Sequence, residues 1–183
     1  AVDLPTGGTA FPGMVWTTPA ELAREGDAVE QQIALLVARQ WWAAVVGVDG
    51  FYQAWQADAL SMFSLLDYWE TQHGREARDE LQFALTDTAM RLTIPRGVTP
   101  GSPLDYFGDW TEFRLVVTNR GAAALCALNT AMNGTLDEFL HTYYDTYAFA
   151  LATREDFETL LARVTGQDWA PLLSDYLDTY IDN

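Results

Sequence analysis

The chain has 183 residues, 49% of them apolar and 20% charged, enough for one domain with its own core and too few to require two. Ten arginines, no lysine and 26 acidic residues give a formal charge of −16. That excludes a nucleic-acid surface, because the arginines are scattered from Arg24 to Arg163 rather than clustered. One cysteine, Cys126, excludes an intrachain disulfide and, in an Ala- and Leu-rich run, reads as a buried small residue. No stretch approaches the roughly 18 uncharged apolar residues of a membrane span, and nothing at Ala1 has the form of a signal peptide. The acidity reads as the solvated surface of a soluble domain, and the compartment stays open.

Residues 1–10, with Pro5, Gly7 and Gly8, read as an irregular lead-in. Residues 11–17 are the one segment with strand character, and Pro12 suggests an edge position. A single strand cannot satisfy its own backbone, so it is expected to pair with the rest of a parent polypeptide or with its copy in a homo-oligomer. Thr18, Pro19 and Glu21 have the form of a helix start, and Asp27 with Glu30 has that of another.

A long helix is expected from there to about residue 46. Across residues 33–42 its only polar side chains are Arg39 and Gln40, so it belongs in the middle of the domain. A buried arginine requires a partner, because an unpaired charge there costs several kcal/mol even after relaxation. Gly47 and Gly50 bracket a turn, and a second buried helix is expected over residues 51–73, closed by Gly74. Between Gly50 and Leu66 its only charge is Asp58. A half-exposed helix over 76–92 and a Pro/Gly-rich loop over 95–108 come next. Start signals at Asp109, Thr135, Thr153 and Asp168 then give four more helices, the last ending near Ile181. The fold class is mainly α, a helical array with one N-terminal edge strand.

Several motifs occur in a telling order. Gly7-Gly8-Thr9-Ala10-Phe11-Pro12 is similar to a Gly-x-Met-Glu-Asn/Tyr-Pro edge-strand motif. Leu35-Leu36-Val37-Ala38-Arg39-Gln40-Trp41-Trp42 is similar to His-Glu-x-Ala-His-Gln-Trp-Trp, and Trp55-Gln56-Ala57-Asp58-Ala59 to Trp-Leu-x-Glu-Gly. Val116-Val117-Thr118-Asn119-Arg120-Gly121-Ala122 is similar to Val-Tyr-x-Lys-Gly-Ala, and Ala152-Thr153-Arg154-Glu155-Asp156-Phe157 to Ala-Thr-x-x-Asp-Phe. Together they resemble the M1 (gluzincin) zinc aminopeptidase family, in the thermolysin-like helical part of its catalytic domain. The resemblance spans nearly all of residues 1–183, read as a single domain and a fragment of a larger chain.

The resemblance implies that the family's zinc ligands correspond to Leu35, Arg39 and Asp58, and its general-base glutamate to Leu36. It also implies that the transition-state tyrosine corresponds to Thr118 and the amine-binding glutamate to Ala10. Leucine has no lone pair for zinc, and arginine presents only donors and a fixed positive charge. A catalytic zinc normally has three protein ligands. No cofactor is therefore expected here, zinc included, and no residue is assigned a catalytic role. His73 and His141 are isolated and read as surface or packing residues.

The resemblance places Arg39 and Asp58 at one point, where they are expected to form an ion pair with the guanidinium standing in place of the metal. The alternative is that Arg39 snorkels to solvent and Asp58 caps something local. Function then follows in three versions. The first is a catalytically inactive M1-like domain, a pseudopeptidase serving as a structural or interaction module. The second is a zinc metalloaminopeptidase with an unrecognised site, and the third a peptide-binding module that does not cleave.

Overall fold

The computed structural model describes residues 8–23, 26–92 and 97–180. Pro5, Gly7, Arg24, Pro95 and the expected helix end near Ile181 lie outside the described residues.

The strand expected at 11–17 is instead an antiparallel hairpin. Strand β1 (Thr9–Phe11) pairs with β2 (Met14–Trp16), and Ala10 faces Val15. Pro12 and Gly13 form the turn, with proline fixing its own φ and Gly13 accepting a φ of 74°. The segment thus satisfies part of its backbone within itself. Gly8 is needed at its start: φ is 98°, and a Cβ there would lie 2.4 Å from the Trp16 carbonyl oxygen.

Helix α1 (Pro19–Leu22) is capped by Thr18, whose hydroxyl accepts from the Glu21 amide at 3.2 Å. Helix α2 (Asp27–Arg39) has Gly26 rather than Asp27 at its N-cap, with no side-chain cap. Glu30 is drawn elsewhere, accepting from the Tyr68 hydroxyl at 2.8 Å and pairing with His73 at 2.9 Å. The chain runs on from Arg39 as a π-helical segment, Gln40–Val45. Helix α3 (Ala54–His73) is the central rod, and every residue from 54 to 63 is buried, as an all-round apolar helix demands.

Helix α4 (Arg75–Gln82), a π segment (Phe83–Asp87) and α5 (Thr88–Met90) form a third, more exposed run. A 3₁₀ turn (Leu104–Tyr106) precedes α6 (Trp110–Phe113), which passes through a π segment (Arg114–Arg120) into α7 (Gly121–Ala131). Asp109 caps α6, accepting from the amides of Thr111 and Glu112 at 2.8 and 2.9 Å. Helices α8 (Leu136–Tyr147), α9 (Arg154–Thr165) and α10 (Ala170–Leu177) complete the array. A reciprocal Thr153–Asp156 capping box starts α9, and left-handed Gly166 ends it.

One hydrophobic core unites α2, α3, α7, α8, α9 and α10. Its aromatic centre stacks Trp42 on Tyr143, and sets Phe157 edge-on to Trp55, Phe139 and Tyr143. Helices α3 and α7 approach so closely that a Cβ on Gly121 would lie 2.9 Å from that of Ala59. No described helix is long and apolar enough to cross a membrane.

Candidate functional site

Arg39 is the last residue of α2, and Asp58 lies in the first turns of α3, the helix against which α2 packs. Asp58 is the one charged residue of a fully buried stretch, residues 54–63, whereas Arg39 ends a helix that lies half-buried at the edge of the core rather than in its middle, with only Leu36 and Ala38 buried and Val37 exposed. The structure brings them together. Arg39 Nη2 donates to Asp58 Oδ1, forming an ion pair in which the arginine side chain is 31% exposed and the aspartate 9%. Burial holds the Arg39 guanidinium below the usual arginine range. Thr118, itself buried on the π segment before α7, donates its hydroxyl to the same Asp58 oxygen at 3.5 Å. Three elements thus converge on one carboxylate.

The other sequence-derived positions lie close by in the chain. Leu35 and Leu36 are one helical turn before Arg39 on α2; Leu36 is fully in the core and Leu35 packs against it partly buried. Ala10 is the middle residue of β1. Strand β1 packs on α2, and a Cβ at Gly8 would lie 3.3 Å from Leu36 Cδ1. Gln40, next to Arg39, clamps the hairpin turn: its Oε1 accepts from the Gly13 amide at 2.8 Å and its Nε2 donates to the Met14 carbonyl at 3.5 Å.

This constellation does not fit a metal ion. Leu35 and Leu36 offer no donor atom, and Arg39 brings a positive charge that already engages Asp58. No group of three His, Cys, Asp or Glu that could hold a metal occurs among the described residues. His73 packs its ring on Trp69 with centroids 4.1 Å apart, and His141 is exposed beside Asp137. Burial pushes the Cys126 thiol up to about 12, which removes it as a nucleophile near neutral pH. Trp42, Trp55 and Trp69 are core residues, while Trp41 is exposed.

Two buried polar positions were not singled out by the sequence. Gln56 donates to the Tyr143 hydroxyl at 3.2 Å and to the Thr153 carbonyl at 3.1 Å, tying α3 to α8 and to the start of α9. Arg120 donates from Nε to the Ala89 carbonyl at 3.0 Å and from Nη2 to that of Leu92, holding the end of α5. Only a polar residue inside an apolar run signals such positions, and that signal names no partner. Elsewhere, a cavity of ≈ 670 Å³ is lined by Phe63, Asp67, Glu70, Arg78, Asn129 and Asp137, among others. Burial, then Asp137 and Glu70 against the opposing Arg78, push the Asp67 carboxyl up to about 7.

No protein-family model and no curated protein matches the chain. Solved structures do. The chain is similar to an M1 zinc metallopeptidase mutant from Deinococcus radiodurans bound to a Tyr-Ser-Ala substrate, at 20% identity and a TM-score of 0.68, covering 88% of this chain and 34% of that one. It is also similar to yeast leukotriene A4 (LTA4) hydrolase in complex with bestatin, at 19% identity and a TM-score of 0.77, covering 98% of this chain and 31% of that one. Native yeast LTA4 hydrolase gives 19% identity and a TM-score of 0.78, covering 98% and 30%. The chain therefore has the helical fold of the M1 metallopeptidases, and it spans about a third of the length of the solved chains it matches.

Proposed function

We propose that this chain is a catalytically inactive M1-like domain, a pseudopeptidase that serves as a structural or interaction module. The observation that carries this reading is the Arg39–Asp58 ion pair, with Leu35 and Leu36 one turn away. The resemblance of the motifs implies that these correspond to the family's zinc ligands and general base, which supports the reading. A zinc centre needs about three lone-pair donors and an activated water; this place supplies one carboxylate, and a guanidinium already claims it. Thr118 cannot replace a tyrosine's reach, and its hydroxyl points at the same carboxylate. Zinc is accordingly not a cofactor of this chain in this reading.

The test is elemental analysis after incubation with zinc and removal of free metal, together with an aminopeptidase assay. We expect less than about a tenth of an equivalent of zinc and no hydrolysis. Stoichiometric zinc, or hydrolysis abolished by a chelator, would replace this reading with a metallopeptidase whose ligands lie elsewhere.

A further inference from the structure

Arg39 has more donors than it uses. A guanidinium presents its N–H groups in a planar fork suited to carboxylates, and here only Nη2 is engaged, with Asp58. No other acceptor for Nε or Nη1 lies among the described residues. Neither nitrogen is among the buried atoms left without a partner, so solvent reaches both. The aspartate is the more deeply buried member of the pair, 9% exposed against 31% for the arginine. Leu35, half-buried one turn earlier, is the apolar neighbour on the same helix face, whereas Leu36 is buried in the core.

We propose that Arg39 is a carboxylate-recognition site: its free edge takes a peptide carboxylate in a two-point contact, with Asp58 holding the guanidinium. The proposal rests on the reading that no metal is held beside Asp58. It also inverts the charge logic of a site that holds a free amine, since Ala10, not an acid, stands at the strand position the resemblance assigns to that task. The chain's charge of −16 repels small free anions and draws cationic bodies toward it. The ligand class is therefore a basic peptide whose carboxylate, at its C-terminus or on an acidic side chain, reaches Arg39.

Titration calorimetry on the whole chain tests this with three lysine- and alanine-based peptides: a free acid, its C-terminal amide, and an amide carrying one glutamate. The free acid or the glutamate-bearing amide is expected to bind about ten-fold tighter than the plain amide, and whichever does so identifies the source of the carboxylate. Arg39→Gln should erase that preference. Asp58→Asn, which frees the guanidinium from its internal partner, should raise it. A merely structural role would move both variants in the same direction, since each breaks the ion pair, and thermal melts show that each is folded. Equal affinity for all three peptides, no binding of any, or a parallel loss in both variants would overturn the proposal. Zinc content is measured on the same samples: stoichiometric zinc would sink the reading beneath the proposal, whereas a zinc-free chain blind to carboxylates would sink the proposal alone.

Discussion

Breaking the Arg39–Asp58 pair from its two sides should have unequal costs, and the inequality follows from exposure. In Arg39→Gln, the Asp58 carboxylate, 9% exposed, keeps only the Thr118 hydroxyl at 3.5 Å. A buried carboxylate left that way costs about 3–5 kcal/mol where burial is complete; with solvent entering through the space Arg39 vacates, about 2–4 kcal/mol is expected. In a chain of this length that lowers Tm by about 5–15 °C. Asp58→Asn leaves Arg39, 31% exposed, free to turn its head toward water, and should cost about 1–2 kcal/mol. The double variant Arg39→Gln/Asp58→Asn leaves no stranded charge and should cost about 1–2 kcal/mol, well below the sum of the two single changes, so the two are strongly non-additive. Urea unfolding followed by circular dichroism gives all four corners of the cycle. If Arg39→Gln lies within about 0.5 kcal/mol of the parent, or Asp58→Asn costs more than Arg39→Gln, the pair is not holding α2 on α3 as described.

Two further outcomes test the packing and the electrostatics. Gly121→Ala inserts a Cβ that would meet Ala59 Cβ at 2.9 Å; overpacking outweighs the better helix propensity of alanine, so a net loss of about 1–2 kcal/mol is expected, and an unchanged or raised Tm would contradict the close α3–α7 approach. Asp67, pushed up to about 7 from an ordinary 3.8, holds its proton more tightly folded than unfolded, so its contribution is fully present below about pH 4 and is lost as pH rises through about 7. Asn at this position should therefore stabilise the chain at pH 8 by about 1–2 kcal/mol and leave it nearly unchanged at pH 4, with urea midpoints as the readout; equal effects at the two pH values would refute the assignment.

Helical periodicity and cap chemistry made much of the array legible. The Thr18, Asp109 and Thr153 starts each place a side-chain oxygen on a backbone amide two or three residues on. That Arg39 needs an acceptor was legible from its apolar helix, and that Asp58 is the one charge in its part of the next helix was legible too. Pro12 reads locally as an edge-strand residue, but together with Gly13 it builds a turn that folds the segment back on itself. Asp27 and Glu30 read locally as a capping box, but Tyr68 and His73, about forty residues away, compete for Glu30 and win. Thr118 was noted for what it replaces rather than for the bond it makes, because a hydroxyl in a Val-rich run says nothing of a carboxylate 60 residues earlier. The Glu30 and Thr118 misses are long-range partners that no local reading names, while the hairpin is a turn read as strand.

The π-helical segments are invisible in the apolar pattern, and two of them adjoin the site. Gln40–Val45 begins at the residue after Arg39, and Arg114–Arg120 contains Thr118. A π turn takes up an extra residue, so side chains beyond it are rotated relative to a regular helix, at the expense of poorer hydrogen-bond geometry. In the first segment, Gln40 turns to the hairpin, while Trp42 reaches Ser64 at 2.8 Å and stacks on Tyr143. In the second, Thr118 reaches Asp58, and Arg120, two residues on, reaches the carbonyls at the end of α5. Gly121 follows at once and lets α7 close onto α3. Removing a single residue from either segment would turn the side chains beyond it off their partners by about 100°.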